Sequence, residues 1–184
     1  MKKISIITCG PGIDEVKSLY GQASDWIQTK LSKYDIKIKV VKGYEKELLD
    51  IDDDAWIITG SAHSVYENLD WISYIKSNLL NMLSANKPVL GICFGHQLIA
   101  DTFGGKVELN KNGWELGSCT IDLKKESANC PLYKNMKNPL DVYQSHQDIV
   151  TEIPKESVLL AQNEMGVQSF VYKDIFYGVQ FHPE

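Results

Sequence analysis

The residues best suited to chemistry by type and spacing are Cys93, set between Gly91 and Gly95 in GICFGHQ, and His182 with Glu184 in the distant QFHPE. An apolar run, PVLGIC, leads into Cys93, and a helix-like pattern, HQLIADTF, leaves it. Strand, Gly-x-Cys-x-Gly, helix is the arrangement of a nucleophile elbow, where small neighbours prevent clashes around a strained turn. The helix N-terminus at such a turn favours thiolate over thiol. The backbone N–H of Phe94 points to where an oxyanion would form during acyl transfer.

A thiol nucleophile needs a base, and the sequence offers His63, His96, His146 and His182. His96 follows Cys93 by three residues on the elbow helix, which carries its ring away from the thiol's exposed side. His63 lies in GSAHSV and His146 in QSHQD. His182 is favoured by geometry. Pro183 pushes the residue before it into extended conformation, and residues two apart in an extended chain face the same way. Glu184 then lies beside His182, where it can fix the tautomer and stabilise the imidazolium.

The elements that must hold these residues follow from apolar patterning. KISIIT (3–8), IKIKVV (36–41), AWIIT (55–59) and PVLGIC (88–93) read as strands. Tyr20 to Leu31 and Leu69 to Leu83 place apolar residues at helical spacing, and the helix after Cys93 stops at Gly104-Gly105. Short apolar strands alternating with amphipathic helices predict βαβ units and a parallel sheet covered on both faces. After Lys106 the pattern changes: VELN, GWELGSCTIDL, DVYQSH, SVLLAQ, VQSFVYK and IFYGVQFH follow with little helix between them, as hairpins and antiparallel additions to the same domain. No linker or repeat divides residues 1–184, which read as one domain.

Composition narrows the function. The net charge of −5 gives no reason to expect nucleic acid as a partner. No apolar stretch approaches the roughly 20 residues needed to span a bilayer, and the N-terminal apolar run is too brief for a secretory signal, so the reading is cytoplasmic. Four dispersed cysteines without a CxxC pair argue against a zinc site or a dithiol motif. All 19 basic residues are lysine, so an anionic ligand must be held by backbone N–H groups, lysine or neutral side chains. CGPGID lacks the third glycine of a dinucleotide loop, Glu15 standing in its place, and Asp52-Asp53-Asp54 reads as a solvated loop. Trp26, Trp56 and Trp71 lie in periodic segments and are expected in the core, whereas Trp114 is a candidate for a pocket rim.

GICFGHQ and HPE, with ITGSAHSVYE, GWELG and YQSHQD between them, closely resemble the signatures of class I, triad-type glutamine amidotransferases over essentially the whole chain. Within that superfamily the chain is most similar to a compact branch resembling the glutaminase domain of GMP synthase and including stand-alone γ-glutamyl peptidases. The resemblance implies a three-layer, flavodoxin-like α/β fold without cofactor or metal. It implies that Cys93 attacks the γ-carbonyl of glutamine or a γ-glutamyl compound, that His182 is base and acid, and that Glu184 orients it. Phe94 and Ser61 would form the oxyanion hole. Gly60, Gln97, Ser145 and His146 would line the substrate's pocket, the last two through their backbone.

Two departures stand out. Gly60-Ser61-Ala62 replaces the Gly-Gly-Pro common in the family, and relatives continue past the position of Glu184 into a further helix. Three functions stay open: a self-contained γ-glutamyl hydrolase, a glutaminase subunit passing ammonia to a separate synthetase, and a binding or regulatory module.

Overall fold

Neighbouring isoleucines in the first strand reveal the architecture. In a computed structural model describing residues 1–184, Ile6 and Ile7 are both fully buried but belong to different apolar clusters, so both faces of this strand are covered. The chain runs β1 (Lys2–Thr8), α1 (Asp14–Tyr20), α2 (Ala23–Leu31), β2 (Ile36–Lys42), β3 (Ala55–Ile58), α3 (Asp70–Ser84), β4 (Val89–Ile92) and α4 (Phe94–Thr102). Strands alone follow: β5 (Lys106–Leu109), β6 (Glu115–Leu123), β7 (Leu140–His146), β8 (Asp148–Glu152), β9 (Ser157–Asn163), β10 (Gly166–Tyr172) and β11 (Phe176–Val179), with short 3-10 turns before β7.

The eleven strands form one mixed sheet in the order β2-β1-β3-β4-β11-β10-β9-β6-β7, with β8 joining β10 to β5. The first five of that order are mutually parallel, and the other six are added antiparallel. On one face, Ile7, Trp56 and Ile58 pack against Ile72, Ile75 and Leu79 of α3 and Leu98 and Ile99 of α4. On the other, Ile6, Ile92 and Val179 pack with Ile27 of α2, Ile121 of β6, and Cys130 and Tyr133 of the 3-10 segment. Each fully buried large apolar side chain contributes about 1.5–3 kcal/mol, so both layers bind firmly to the sheet. The expected α/β fold with a covered parallel sheet is therefore present.

Four local expectations change. The helix expected over 20–31 is two helices, because Gly21 adopts φ +78° and closes α1, while Gln22 and Asp25 cap α2 reciprocally. Trp26 is more than a third exposed and clamps that break from outside, its indole Nε1 donating to Tyr20 O at 2.6 Å; Trp56 is buried and Trp71 partly so. Asp53 is buried rather than solvated and accepts from Ser5 Oγ at 2.5 Å. The last strand, read as an antiparallel addition, is antiparallel to β10 but parallel to β4, with Phe176 opposite Val89 and Val179 opposite Ile92. That register carries residues 180–184 back to Cys93.

Candidate active site

Cys93 follows the last residue of β4 and is the N-cap of α4, with φ +52° and ψ −104°. A non-glycine residue in this region costs roughly 1–3 kcal/mol and persists only where its surroundings impose it. The surroundings here are specific. A Cβ on Gly91 would strike the backbone of Gly95, and one on Gly95 would lie 2.5 Å from Ile58 O. The two glycines thus let α4 press directly onto β4 and β3. Cys93 N–H donates to Val179 O at 2.9 Å, and Gln97 N–H to Cys93 O at 3.1 Å, fixing the turn from both sides.

His182 is delivered by the adjacent parallel strand. His182 stands three residues beyond the end of β11, its N–H donating to Tyr143 O of β7 at 2.9 Å. Its Nδ1 lies 2.9 Å from Glu184 Oε1, the pairing expected from Pro183 and the two-residue spacing. The Glu184 side chain is 3% exposed. Burial alone would lower the pKa of His182, but Cys93 and Glu184 outweigh it and raise the ring to about 10. The Cys93 sulfur acts on the imidazole without an aligned hydrogen bond to Nε2, a looseness common in unliganded sites. Gly60 fills the angle between them: a Cβ there would lie 3.4 Å from His182 Cε1 and 3.7 Å from Cys93 Cβ.

Phe94 opens α4, so its N–H is one of the helix's unpaired first-turn donors, while its ring is buried against Trp71 with centroids 5.6 Å apart. Ser61 holds its loop by its side chain. Ser61 Oγ donates to Cys9 O at 2.6 Å and accepts from His63 N–H at 3.2 Å, bracing a loop without the family's second glycine and proline. Ser145 faces the thiol, with Cys93 Sγ 4.0 Å from its carbonyl oxygen.

The side chains of Gln97 and His146 are buried in hydrogen-bond networks. Gln97 is 3% exposed, and its amide nitrogen donates to Asp148 O at 2.9 Å and Gln180 Oε1 at 3.1 Å. His146 is 4% exposed, with Nδ1 3.0 Å from Asp148 O and Nε2 2.8 Å from Glu115 Oε2. Of the other histidines, His63 is on the surface beside Glu67. His96 is fully buried against Phe170, and burial lowers its pKa to about 3, so it is neutral. Trp114 is well exposed on the approach to β6.

Reading by motif missed the buried polar layer formed by Glu115, Gln144, Gln168 and Gln180. Its signal was polar residues at inward positions of otherwise apolar strands, as in YQSH and VQSF.

Within an α/β sheet, Cys93 thus occupies a strained strand-to-helix turn with the arrangement of a nucleophile elbow, and a carboxylate-oriented histidine lies beyond the neighbouring parallel strand. The chain belongs to the class-I glutamine amidotransferase family, whose sequence profile matches residues 15–184. It is 34% identical to gamma-glutamyl peptidase 4 of Arabidopsis thaliana over 100% of this chain and 76% of that protein. It is 38% identical to the glutamine-hydrolyzing GMP synthase of Pyrobaculum aerophilum over 79% of this chain but only 26% of that protein. With the glutamine-hydrolyzing GMP synthase subunit of Methanococcus vannielii it shares 44% identity over 55% of this chain and 53% of that one. A glutamine amidotransferase of Thermotoga maritima has the same fold, with TM-score 0.80 and 22% identity over 98% of this chain and 75% of that one.

Proposed function

We propose that the chain hydrolyses the γ-amide bond of γ-glutamyl compounds by itself, through a γ-glutamyl thioester on Cys93. The observation carrying this reading is the approach of Cys93 to the His182–Glu184 pair at the ends of adjacent parallel strands. The Cys93 thiolate attacks the γ-carbonyl carbon, and the resulting oxyanion is met by the N–H groups of Phe94 and Ser61. Protonated His182 gives its proton to the departing nitrogen as the C–N bond breaks. It then takes a proton from water, whose oxygen attacks the thioester, releases glutamate and returns the sulfur. Gly60 and Ser145 border the substrate, while Gln97 and His146 act from behind it by fixing the chain that Ser145 belongs to.

Similarity to a γ-glutamyl peptidase over the whole of this chain and 76% of that protein supports a self-contained hydrolase. The higher local identity to the Methanococcus vannielii protein supports a second reading, a glutaminase that supplies ammonia to a separate synthetase. Glutamate release by the purified chain, on L-glutamine and on γ-glutamyl dipeptides, separates the two. Preference for dipeptides, abolished in Cys93→Ser, is the expected result. Turnover of glutamine alone favours the ammonia-supplying glutaminase, and no turnover of either overturns the self-contained hydrolase.

A further inference from the structure

The buried carboxylate of Glu115 takes no part in the reaction above, yet both ends of the reacting pair hang from it. We infer that Glu115 is a positioning residue, which sets the separation of Cys93 and His182 through His146 and Gln168; the inference rests on reading those two as the reacting pair.

Glu115 opens β6, is 5% exposed, and accepts three hydrogen bonds. His146 Nε2 donates at 2.8 Å and Gln168 Nε2 at 3.0 Å to Oε2, and Asn163 Nδ2 donates at 2.5 Å to Oε1. Burial opposes its charge, but these donors prevail and hold the carboxyl below its ordinary value. His146 is held between a carboxylate on one side and the Asp148 carbonyl on the other, so its ring is fixed at both nitrogens.

One branch runs from His146 to Asp148 O, which also receives Gln97 Nε2; Gln97 is hydrogen-bonded through its N–H to Cys93 O. The other runs through Gln168, whose carbonyl takes Gln180 N–H at 2.9 Å, two residues before His182. Gln97 and Gln180 close the ring at 3.1 Å. Between the branches, β7 presents Ser145 O to the thiol and Tyr143 O to His182 N–H, and its register against β6 places His146 opposite Glu115. An acceptor-only group is what three converging donors require. A glutamine in its place offers one oxygen and turns an NH₂ toward donors, so the corner between β7 and β8 must shift. Buried networks lose heavily when only partly satisfied.

The test is the rate at which iodoacetamide alkylates Cys93 at pH 7, read on the Cys93 peptide by mass spectrometry and well below each variant's Tm. Thiolate paired with imidazolium reacts fast, and no substrate is involved. Glu115→Gln is expected to slow alkylation by about tenfold or more, since misplacing reacting groups by an ångström costs up to about a hundredfold. Glu115→Asp, which keeps the charge, is expected to recover part of that loss. A folded Glu115→Gln variant that alkylates like the parent, whatever its Tm, overturns the proposal, because a purely structural role moves only Tm. If Glu115→Gln does not fold, Asn163→Ala at the partly exposed rim decides: slower alkylation supports the proposal and an unchanged rate overturns it. Wild-type Cys93 reacting no faster than an ordinary thiol would instead refute the reacting pair itself.

Discussion

Cys9 and Cys93 occupy equivalent places in the sheet, each directly after the last residue of a parallel strand, β1 and β4. Their chemistry diverges. Cys9 keeps ordinary backbone geometry, with its Sγ 3.9 Å from Ile7 O, back along its own strand. It is wholly buried, and burial drives its thiol pKa up, out of reach of any neighbour that would ionise it. Its N–H rests on Thr59 Oγ1 at 3.1 Å, where Cys93 has the end of β11. Cys93 has the positive φ that sets it on the elbow, and His182 lies three residues beyond the end of the strand beside it. A strand end is therefore not a nucleophile's site until the backbone turns the sulfur outward and a neighbouring strand supplies a proton carrier.

The strongest way to make Cys93 resemble Cys9 is to disable its histidine. Glu184→Gln keeps the shape but offers Nδ1 an ambiguous partner, and glutamate release is expected to fall by about a thousandfold or more, as triad acids replaced by amides can cost ~10⁴-fold. The same variant changes stability with pH. His182 has its pKa raised from 6.5 to about 10 on folding, so its contribution is complete below 6.5 and is lost as pH climbs through about 10. Without Glu184 one of the two causes disappears, the folded pKa falls toward 6.5, and the loss of stability is completed at lower pH. Urea midpoints across pH 6.5 to 10 measure this, and coincident profiles for the two proteins would contradict it.

A milder disturbance leaves both partners in place and crowds the space between them. Gly60→Ala puts a methyl 3.4 Å from His182 Cε1 and 4.0 Å from Cys93 Sγ, at a residue whose φ suits alanine. The methyl fills the space between thiol and imidazole at contact distance and restricts their approach, and kcat is expected to fall about tenfold with the fold intact, in keeping with the steep dependence on reacting geometry. Steady-state kinetics and a melting curve together check it. An unchanged kcat would mean that the gap between thiol and imidazole is not what limits the reaction.

Sequence carried much of the contrast between the two cysteines, and its failures have physical causes. The elbow was legible because Gly91 and Gly95 are demanded by contacts between adjoining segments, and His182 with Glu184 because proline and two-residue spacing act locally. Strand direction was not legible for β11: its apolar run pairs with β4 across eighty-seven residues, Val89 meeting Phe176, and local pattern does not encode the partner. Gln97 and His146 show the same limit. Their motif positions were plain, but the buried partners of their side chains were not: Gln97 meets Asp148 and Gln180, and His146 meets Glu115, each brought in from another part of the sequence. Glu115 was passed over for that reason as well.

Cys9→Ala should have the smallest effect, and its smallness is informative. The substitution removes one sulfur from a core that includes Val41, Ile58 and Val65, so stability is expected to drop by about 1–2 kcal/mol through the cavity left behind. Activity should stay within about twofold, because additivity holds between sites without shared partners. The route by which it could fail is specific: Cys9 O accepts the Ser61 hydroxyl that braces the loop proposed to hold the oxyanion. That bond uses the backbone carbonyl, which alanine retains, so the loop keeps its anchor. A large loss of kcat in Cys9→Ala, with a melting curve showing the protein folded, would mean that packing at the end of β1 sets the oxyanion loop. The inert thiol would then be a structural partner of the reactive one.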